Sequence, residues 1–347
     1  MDYKSKLVTL SNRYNPERVP LFETRHFSNS GLQSTDRDVV QYVKKAMCAV
    51  DEDYTRKTKE AGEAAKVHLE RVLRDVSFEY QGSVMTDTHI KGVSDIDLLV
   101  LCEKFYGSDI HRVREELQRQ YLYTTEELSR LRSYDQSFYS YQGNSSEDLG
   151  NLRAGIERTM KYIYDDCDTS HAKAVKIRNK HLNRDVDIVT SSWFQSLSYV
   201  LHDMPKEELG IKIYNKDKGY TEGPDYPFLS ISRINSRSAE TNGRLKKMIR
   251  FLKNVRTDSD LNIPLTSFDI NAICYSIPVL DYINLDYRGL VRVLLSTIYY
   301  LCTDYKAGEL TSVVGDEYVF RGKPEKVEAL KALGLEVYQI ETELDKR

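Results

Sequence analysis

The sequence predicts a mixed α+β protein, either two domains or one large bilobed unit, and three observations lead there. At 347 residues, 40% of them apolar, the chain can bury a sizeable core. Short segments around 77–81, 95–101, 174–178 and 185–189 alternate in the manner of half-buried strands. From Thr241 onward the apolar residues recur every three or four positions, the spacing of helices.

Taken in order, residues 1–35 carry Asn-Pro and Val-Pro without periodicity and read as an N-terminal arm, extended around the body. Asp36 to Arg74 reads as helix, broken near Val50; Ala61, Ala65, Leu69, Val72 and Leu73 share one apolar face, so this helix is expected as a spine behind the next strand. Ser77–Gln81 is a strand running into the turn Gly82-Ser83, and Asp95–Leu101 is the next. Residues 109–132 and 146–165 are charged helical segments joined by a polar stretch. Ala174–Arg178 and Asp185–Val189 pair as strands about a tight turn at His181-Leu182-Asn183. Ser191 to Glu240 bears Pro and Gly and reads as a connector. Helices are then expected over Thr241–Arg256, from an N-cap signature at Pro264–Asp269 to Pro278, over 287–303, and briefly over Pro324–Leu333 before a tail from Glu336 to Arg347.

The chemistry concentrates in the strands. Asp95 and Asp97 stand two apart, so both point to one face while Ile96 and Leu98 point into a core. Like charges side by side repel unless a cation joins them, and Mg²⁺ is the common one. The strand at Val186 repeats the device and offers a third carboxylate; Asp187 is preferred to Asp185, which beside Arg184 also suits a salt bridge at the start of a strand. A small-residue turn such as Gly82-Ser83 beside carboxylates suits phosphoryl transfer, the acids holding metal and the turn holding phosphate. A bare Asp-x-Asp equally suits a half-buried strand with two solvated aspartates. Lys246, Arg250 and Lys253 form a cationic stripe along one helix, a phosphate grip or a solvated face.

Composition narrows the classes. A net charge of −3 argues against a general nucleic-acid coat, so any basic site is local. Five cysteines without C-x-x-C, and no signal peptide, suggest a reduced cytoplasmic protein. No apolar run reaches the length of a membrane span, so no membrane insertion is expected. The seven histidines, His171 and His181 among them, show no zinc spacing, and the 25 tyrosines are scattered.

Several motifs in one order resemble the nucleotidyltransferase core of the 2′-5′ oligoadenylate synthetase and cGAS/DncV-like superfamily. They are Gly82-Ser83-x4-Thr88, Ser94-Asp95-x-Asp97, Val186-Asp187-x-Val189, the helix run Lys247–Lys253, and Pro264–Asp269. The resemblance spans roughly residues 50 to 300. It implies a bilobed polymerase-β-like fold, a twisted mixed sheet with helices plus a C-terminal helical lobe. The core then covers 36–195 with a helical insertion near 105–165, and the lobe covers 196–347 with the triphosphate-binding helix. It also implies that Asp95, Asp97 and Asp187 bind two Mg²⁺, with Mn²⁺ as a substitute. Gly82, Ser83 and Lys253 would hold the triphosphate, with Arg250 or Lys246 in reserve; Ser267 and Phe268 would line the nucleotide site, and Thr88 would cap the metal loop. Phe268 equally suits a packed residue at a helix start.

Two departures bear on the transfer. Asp97 and Asp187 lie ninety positions apart, longer than in bacterial members, and neither a zinc insertion nor a long basic platform is visible, so strong duplex binding is not expected. The resemblance therefore implies a bacterial anti-phage enzyme, template-independent and magnesium-dependent, that joins NTPs or dNTPs into a short cyclic or linear oligonucleotide signal. A separate effector protein, with a membrane-bound one among the options, would sense the product. One alternative is a Hailong-type enzyme that grows a DNA oligomer on a C-terminal tyrosine, Tyr338. Another is a toxin-type transferase acting on tRNA or protein.

Overall fold

The computed structural model describes residues 3–14, 38–92, 95–303 and 306–346. The chain divides into two compact units, one of Glu52–Met85 and Asp95–Ser232, the other of the described residues within Met1–Asp51, Thr86–Ser94 and Arg233–Arg347. The α+β class expected from the sequence is present, with a mixed sheet in the first unit and helices in the second.

The sheet unit is built on β1 (Val76–Gln81), β2 (Ile96–Ser108), β3 (Cys167–Asp168), β4 (Ala174–Asn179) and β5 (Arg184–Gln195), in the order β1-β2-β5-β4-β3. Only β2 and β5 run parallel; the other neighbours in this path are antiparallel. One face is apolar through its centre. Ile96, Leu98, Val100, Val186, Ile188, Val175 and Ile177 bury there against Ala61, Ala65 and Leu69 of α3 (Glu52–Glu70) and Ile156 and Met160 of α6 (Ser145–Ile163). On the opposite face Leu99, Leu101, Val189, Trp193 and Ile211 form a second cluster. The alternation that the sequence showed is thus a sheet covered on one face by the spine helix, with a shorter apolar patch on the other.

Several expectations are corrected. The segment 109–132 is two helices, α4 (Ile110–Glu116) and α5 (Thr125–Ser137), because Thr124 and Glu127 form a capping box that starts a new helix. The connector expected over 191–240 is ordered structure. It holds the end of β5, a short α7 (Leu197–Leu201), β6 (Gly210–Asn215) paired with β5, β7 (Tyr220–Thr221) and α8 (Pro227–Glu240). Its apolar residues, Ile211 above all, complete the second cluster of the sheet.

The helical unit packs one core from α1 (Tyr3–Tyr14), α2 (Asp38–Met47), the end of α8, α9 (Arg244–Asp258), α10 (Ser267–Tyr275), α11 (Tyr287–Cys302) and α12 (Pro324–Asp345). The arm expected over 1–35 thus begins as a helix: Leu10 is fully buried, Leu7 packs beside it, and Lys6 pairs with Glu336 at 3.4 Å. The remainder of that arm lies outside the described residues. The last helix runs to Asp345, not Leu333, because Leu330, Leu333, Val337, Ile340 and Leu344 continue one buried stripe. Gly334 interrupts nothing; a Cβ there would press to 2.9 Å from Ile298 of α11, so its small size lets the two helices close up.

Candidate active site

The register of the sheet unit assembles the acids. Asp97 on β2 is the partner of Asp187 on β5, Asp187 of Lys176 on β4, Lys176 of Asp168 on β3, and Gln81 on β1 of Asp97. These five residues form one rung across the sheet, on the face that bears Leu99 and Val189. The rung falls where that face's apolar cover ends, so the alternation that buries Ile96 and Val186 presents Asp97 and Asp187 on the opposite side.

Asp95 precedes the first residue of β2 and completes the trio the sequence singled out. Gly82 follows β1 directly with φ +86°, a left-handed conformation, and a Cβ at this position would collide with Oδ2 of Asp97. Glycine here is thus what lets the turn Gly82-Ser83 approach the carboxylate. Val84, buried in the core behind the sheet, anchors the turn, and the Met85 amide donates to the Gly82 carbonyl at 3.2 Å.

The charges in the rung are partly unresolved. Burial, then the carboxylates of Asp187 and Asp95, push Asp97 up to about 7. Burial and Asp187 also raise Asp95. Lys176 offsets part of this, with Nζ 3.1 Å from Oδ2 of Asp187 and 3.9 Å from Oδ2 of Asp95. Burial works against its ammonium, but bonding to Asp187 and the field of the three acids outweigh it and raise its pKa. The other oxygen of Asp187, Oδ1, is buried without a hydrogen-bond partner. Asp185 is accounted for separately. It pairs with Arg178 at 3.0 Å, not with the adjacent Arg184, which lies 3.6 Å over the ring of Tyr54 and donates to Thr58.

This donor set suits divalent cations. An orphaned carboxylate oxygen, two carboxyls pushed up by burial and by neighbouring carboxylates, and a glycine cradle against Asp97 fit the ligands of a hard cation. Among the described residues, however, no group of three or more acids, histidines or cysteines stands converged to hold a metal. An open cavity of about 380 Å³ lies alongside, bordered by Asp95, Asp187, Lys176, Arg178 and Asp168 among others.

The remaining candidates sit in the helical unit. Lys253 and Arg250 are buried, so the stripe is not a solvated face. Lys253 Nζ donates to the carbonyl and hydroxyl of Thr88 at 3.1 and 3.3 Å, and burial, with Arg256 and Arg250 nearby, lowers its pKa to about 7. Arg250 donates to the carbonyls of Met47 at 3.0 Å and Asp87 at 2.6 Å. Lys246 is half-buried. The contacts to Asp87 and Thr88 tie α9 to the loop of Thr86–Gly92, the stretch between the Gly82-Ser83 turn and Asp95 in the chain, and the contact to Met47 ties it to the end of α2. Thr88 is fully buried. Ser267 and Phe268 open α10 behind the N-cap Thr266, and Phe268 is 39% exposed, so it is not the packed residue that was the alternative. Tyr338 lies within α12, 55% exposed, and not in a tail.

The sequence reading missed Lys176. A hairpin turning between His181 and Leu182 sets Lys176 and Asp187 equally far from its turn, so the turn that was recognised already carried the signal. It missed Asp168 too, which two-residue β3 gave no periodicity to reveal.

Comparison with known proteins places this geometry. Residues 232–340 match the profile of the cGAS/DncV-like nucleotidyltransferase C-terminal helical domain. The chain is 63% identical over 344 residues to a c-di-GMP synthase of Lachnospiraceae bacterium (strain RUG226), covering 99% of each. Among solved structures, the STING-associated CdnE c-di-GMP synthase from Capnocytophaga granulosa aligns at TM-score 0.81 and 40% identity over 99% of both chains. One from Flavobacteriaceae sp. aligns at 0.87 and 32%, covering 99% of this chain and 98% of that one. The chain belongs to the cGAS/DncV-like nucleotidyltransferase family. It is an enzyme of the kind the motifs implied, a nucleotidyltransferase that makes a short oligonucleotide signal.

Proposed function

We propose that this enzyme is a c-di-GMP synthase of a bacterial anti-phage system. It would join two GTP molecules without a template and release two pyrophosphates, and a STING-type effector would read the product. The observation that carries this reading is the near-full-length identity to relatives so named. The acid rung supports the chemistry. In each half-reaction a ribose hydroxyl oxygen bonds to the α-phosphorus of a second nucleotide, the bond to its β-phosphate bridging oxygen breaks, and pyrophosphate leaves.

Asp95, Asp97 and Asp187 would hold two Mg²⁺, or Mn²⁺ in substitution. Bound there, the ions supply Lewis acidity and offset the charge of the triphosphate. Asp187, with a free buried oxygen, orients the attacking hydroxyl and can accept its proton. The Gly82-Ser83 turn offers backbone amides and a hydroxyl to phosphate oxygens. Lys253 and Arg250 hold the loop of Thr86–Gly92 within the helical unit, besides any contact with phosphate. Phe268, exposed at the start of α10, offers a face for a base. Nothing in the fold or the relatives favours priming on Tyr338 or an acceptor of tRNA or protein.

The test is to incubate the purified enzyme with Mg²⁺ and each NTP and dNTP, singly and mixed, followed by small-molecule and intact-protein mass spectrometry. c-di-GMP from GTP alone is the expected product. A mixed or linear product would overturn the base or ring assignment, and a nucleotide ladder on the protein would revive Tyr338.

A further inference from the structure

Lys176 is held by the acids that the reading above gives to metal. Its register partner on one side is Asp187, and its ammonium reaches Oδ2 of Asp187 and lies within 4 Å of Asp95. On the other side the register partner is Asp168, whose carboxylate is 53% exposed and already turned to the Ser170 amide at 2.7 Å and to His171 at 3.3 Å. Lys176 thus stands between Asp187, with Asp95 close by, and its other register partner Asp168. Its side chain is 41% exposed, and a four-carbon stem with a compact charge can turn from one to the other without unpacking the sheet. The other cation of this cavity cannot compete, because Arg178 is bonded to Asp185 and Asn183.

We propose that Lys176 is a placeholder cation. In the metal-free enzyme it keeps the carboxylates of Asp187 and Asp95 from repelling each other, and metal binding displaces it toward Asp168. Loading is then an exchange of one cation for another, not an addition to an empty cage. The exchange gives a role to the cation that already sits among these acids. It also assigns Asp168 the role of receiving the displaced ammonium. Lys176 and Asp168 act here as positioning residues, and the inference rests on the metal reading of Asp95, Asp97 and Asp187.

The experiment is a Mn²⁺ titration of the full chain, following the free-ion signal by electron paramagnetic resonance, with thermal melts in chelator and in Mg²⁺. Wild type is compared with Lys176→Met, Lys176→Arg and Asp168→Asn. Lys176→Met should bind Mn²⁺ about tenfold more tightly, because a cation beside the ion is gone. It should also melt lower in chelator and gain more from Mg²⁺. Lys176→Arg should restore the wild-type affinity. Asp168→Asn should weaken binding about threefold, since the displaced ammonium loses its acceptor. This variant keeps Lys176 in place, so it carries the test if Lys176→Met does not fold. Unchanged or weaker Mn²⁺ binding in Lys176→Met, or no change in Asp168→Asn, overturns the placeholder while leaving the metal reading intact. Failure of wild type to take up Mn²⁺ would overturn the metal reading, and the placeholder with it.

Discussion

The acid rung of the sheet and the basic face of α9 carry opposite charges and solve opposite problems. In the rung, Asp97 and Asp187 are set side by side by strand register, and one oxygen is left unsatisfied. On α9, Lys253 and Arg250 are buried and bonded to backbone carbonyls of the same unit. Charges proposed to meet a ligand are left in tension, whereas the charges that bond a loop are satisfied within the protein. Burial alone separates nothing here, since both groups are largely enclosed; the difference is whether the partners are already present.

The largest effect expected from this contrast is at Asp97. Asp97→Asn should lower turnover by about 10³-fold or more, because on the proposed reading it removes a charged metal ligand while leaving shape intact. It should melt at an equal or higher temperature in chelator at pH 8, since it relieves repulsion. The wild-type enzyme in chelator should lose stability as pH rises from about 4 to about 7. In that window the folded Asp97 keeps a proton that the unfolded residue has released. Asp97→Asn should flatten this slope, and a slope that survives would place the strain elsewhere. Next comes Gly82→Ala, which forces a side chain into a left-handed backbone and against Asp97. It should cost about 1–2 kcal/mol in stability and about 10²-fold in turnover. An active Gly82→Ala enzyme would mean that the turn does not need its close approach.

Much of the rung was legible in the sequence, and α9 was legible only in outline. The spacing of Asp95, Asp97 and Asp187 and the alternation around them determine which face each acid takes, because a strand has a fixed period. Lys176 required the register, which the short turn at residues 180–183 could supply. Asp168 required a long-range pairing with no local pattern behind it. For α9 the apolar stripe of Leu245, Met248, Ile249, Leu252 and Val255 was plain, and all five are buried. What the sequence left open was whether Lys253 faces water. Its partner Thr88 is 165 positions away, and no periodicity reports on a contact of that separation. The connector failed for a related reason, since Pro and Gly mark turns without showing that the turns join strands of an existing sheet.

Lys253 tests the other side of the comparison. Its folded pKa is near 7 against an ordinary value of 10.5, so between those values the unfolded chain holds the proton and the folded one does not. Stability should therefore rise with pH across that window. Lys253→Met should remove most of this rise, leaving smaller shares from Lys45, which burial lowers to about 8, and from Lys246, which burial also lowers. It should also weaken the fold by about 1–2 kcal/mol at pH 9 through the lost bonds to Thr88. Denaturant melts across the pH range check both. If the slope persists and only the KM for nucleotide rises, Lys253 is a phosphate ligand first and the contrast with the rung fails.

The smallest effect is expected at Phe268, which belongs to neither group. It is uncharged, exposed at the opening of α10, and one residue from Asp269, whose buried carboxylate pairs with Lys326 and closes the capping box with Thr266. The helix start is therefore held by Thr266 and Asp269, and Phe268→Ala should change stability by no more than about 0.5 kcal/mol. An exposed aromatic ring beside a well-fixed cap has its face available for a nucleobase, a contact of about 1–3 kcal/mol. Phe268→Ala should then raise the KM for nucleotide about tenfold with kcat little changed, measured from product formation across a nucleotide titration. A base contact acts on binding, whereas the rung is proposed to act on the chemical step, so the two variants should divide the kinetic constants between them. Should Phe268→Ala leave KM untouched, the base is held by other residues, and the exposed ring is surface that no nucleotide meets.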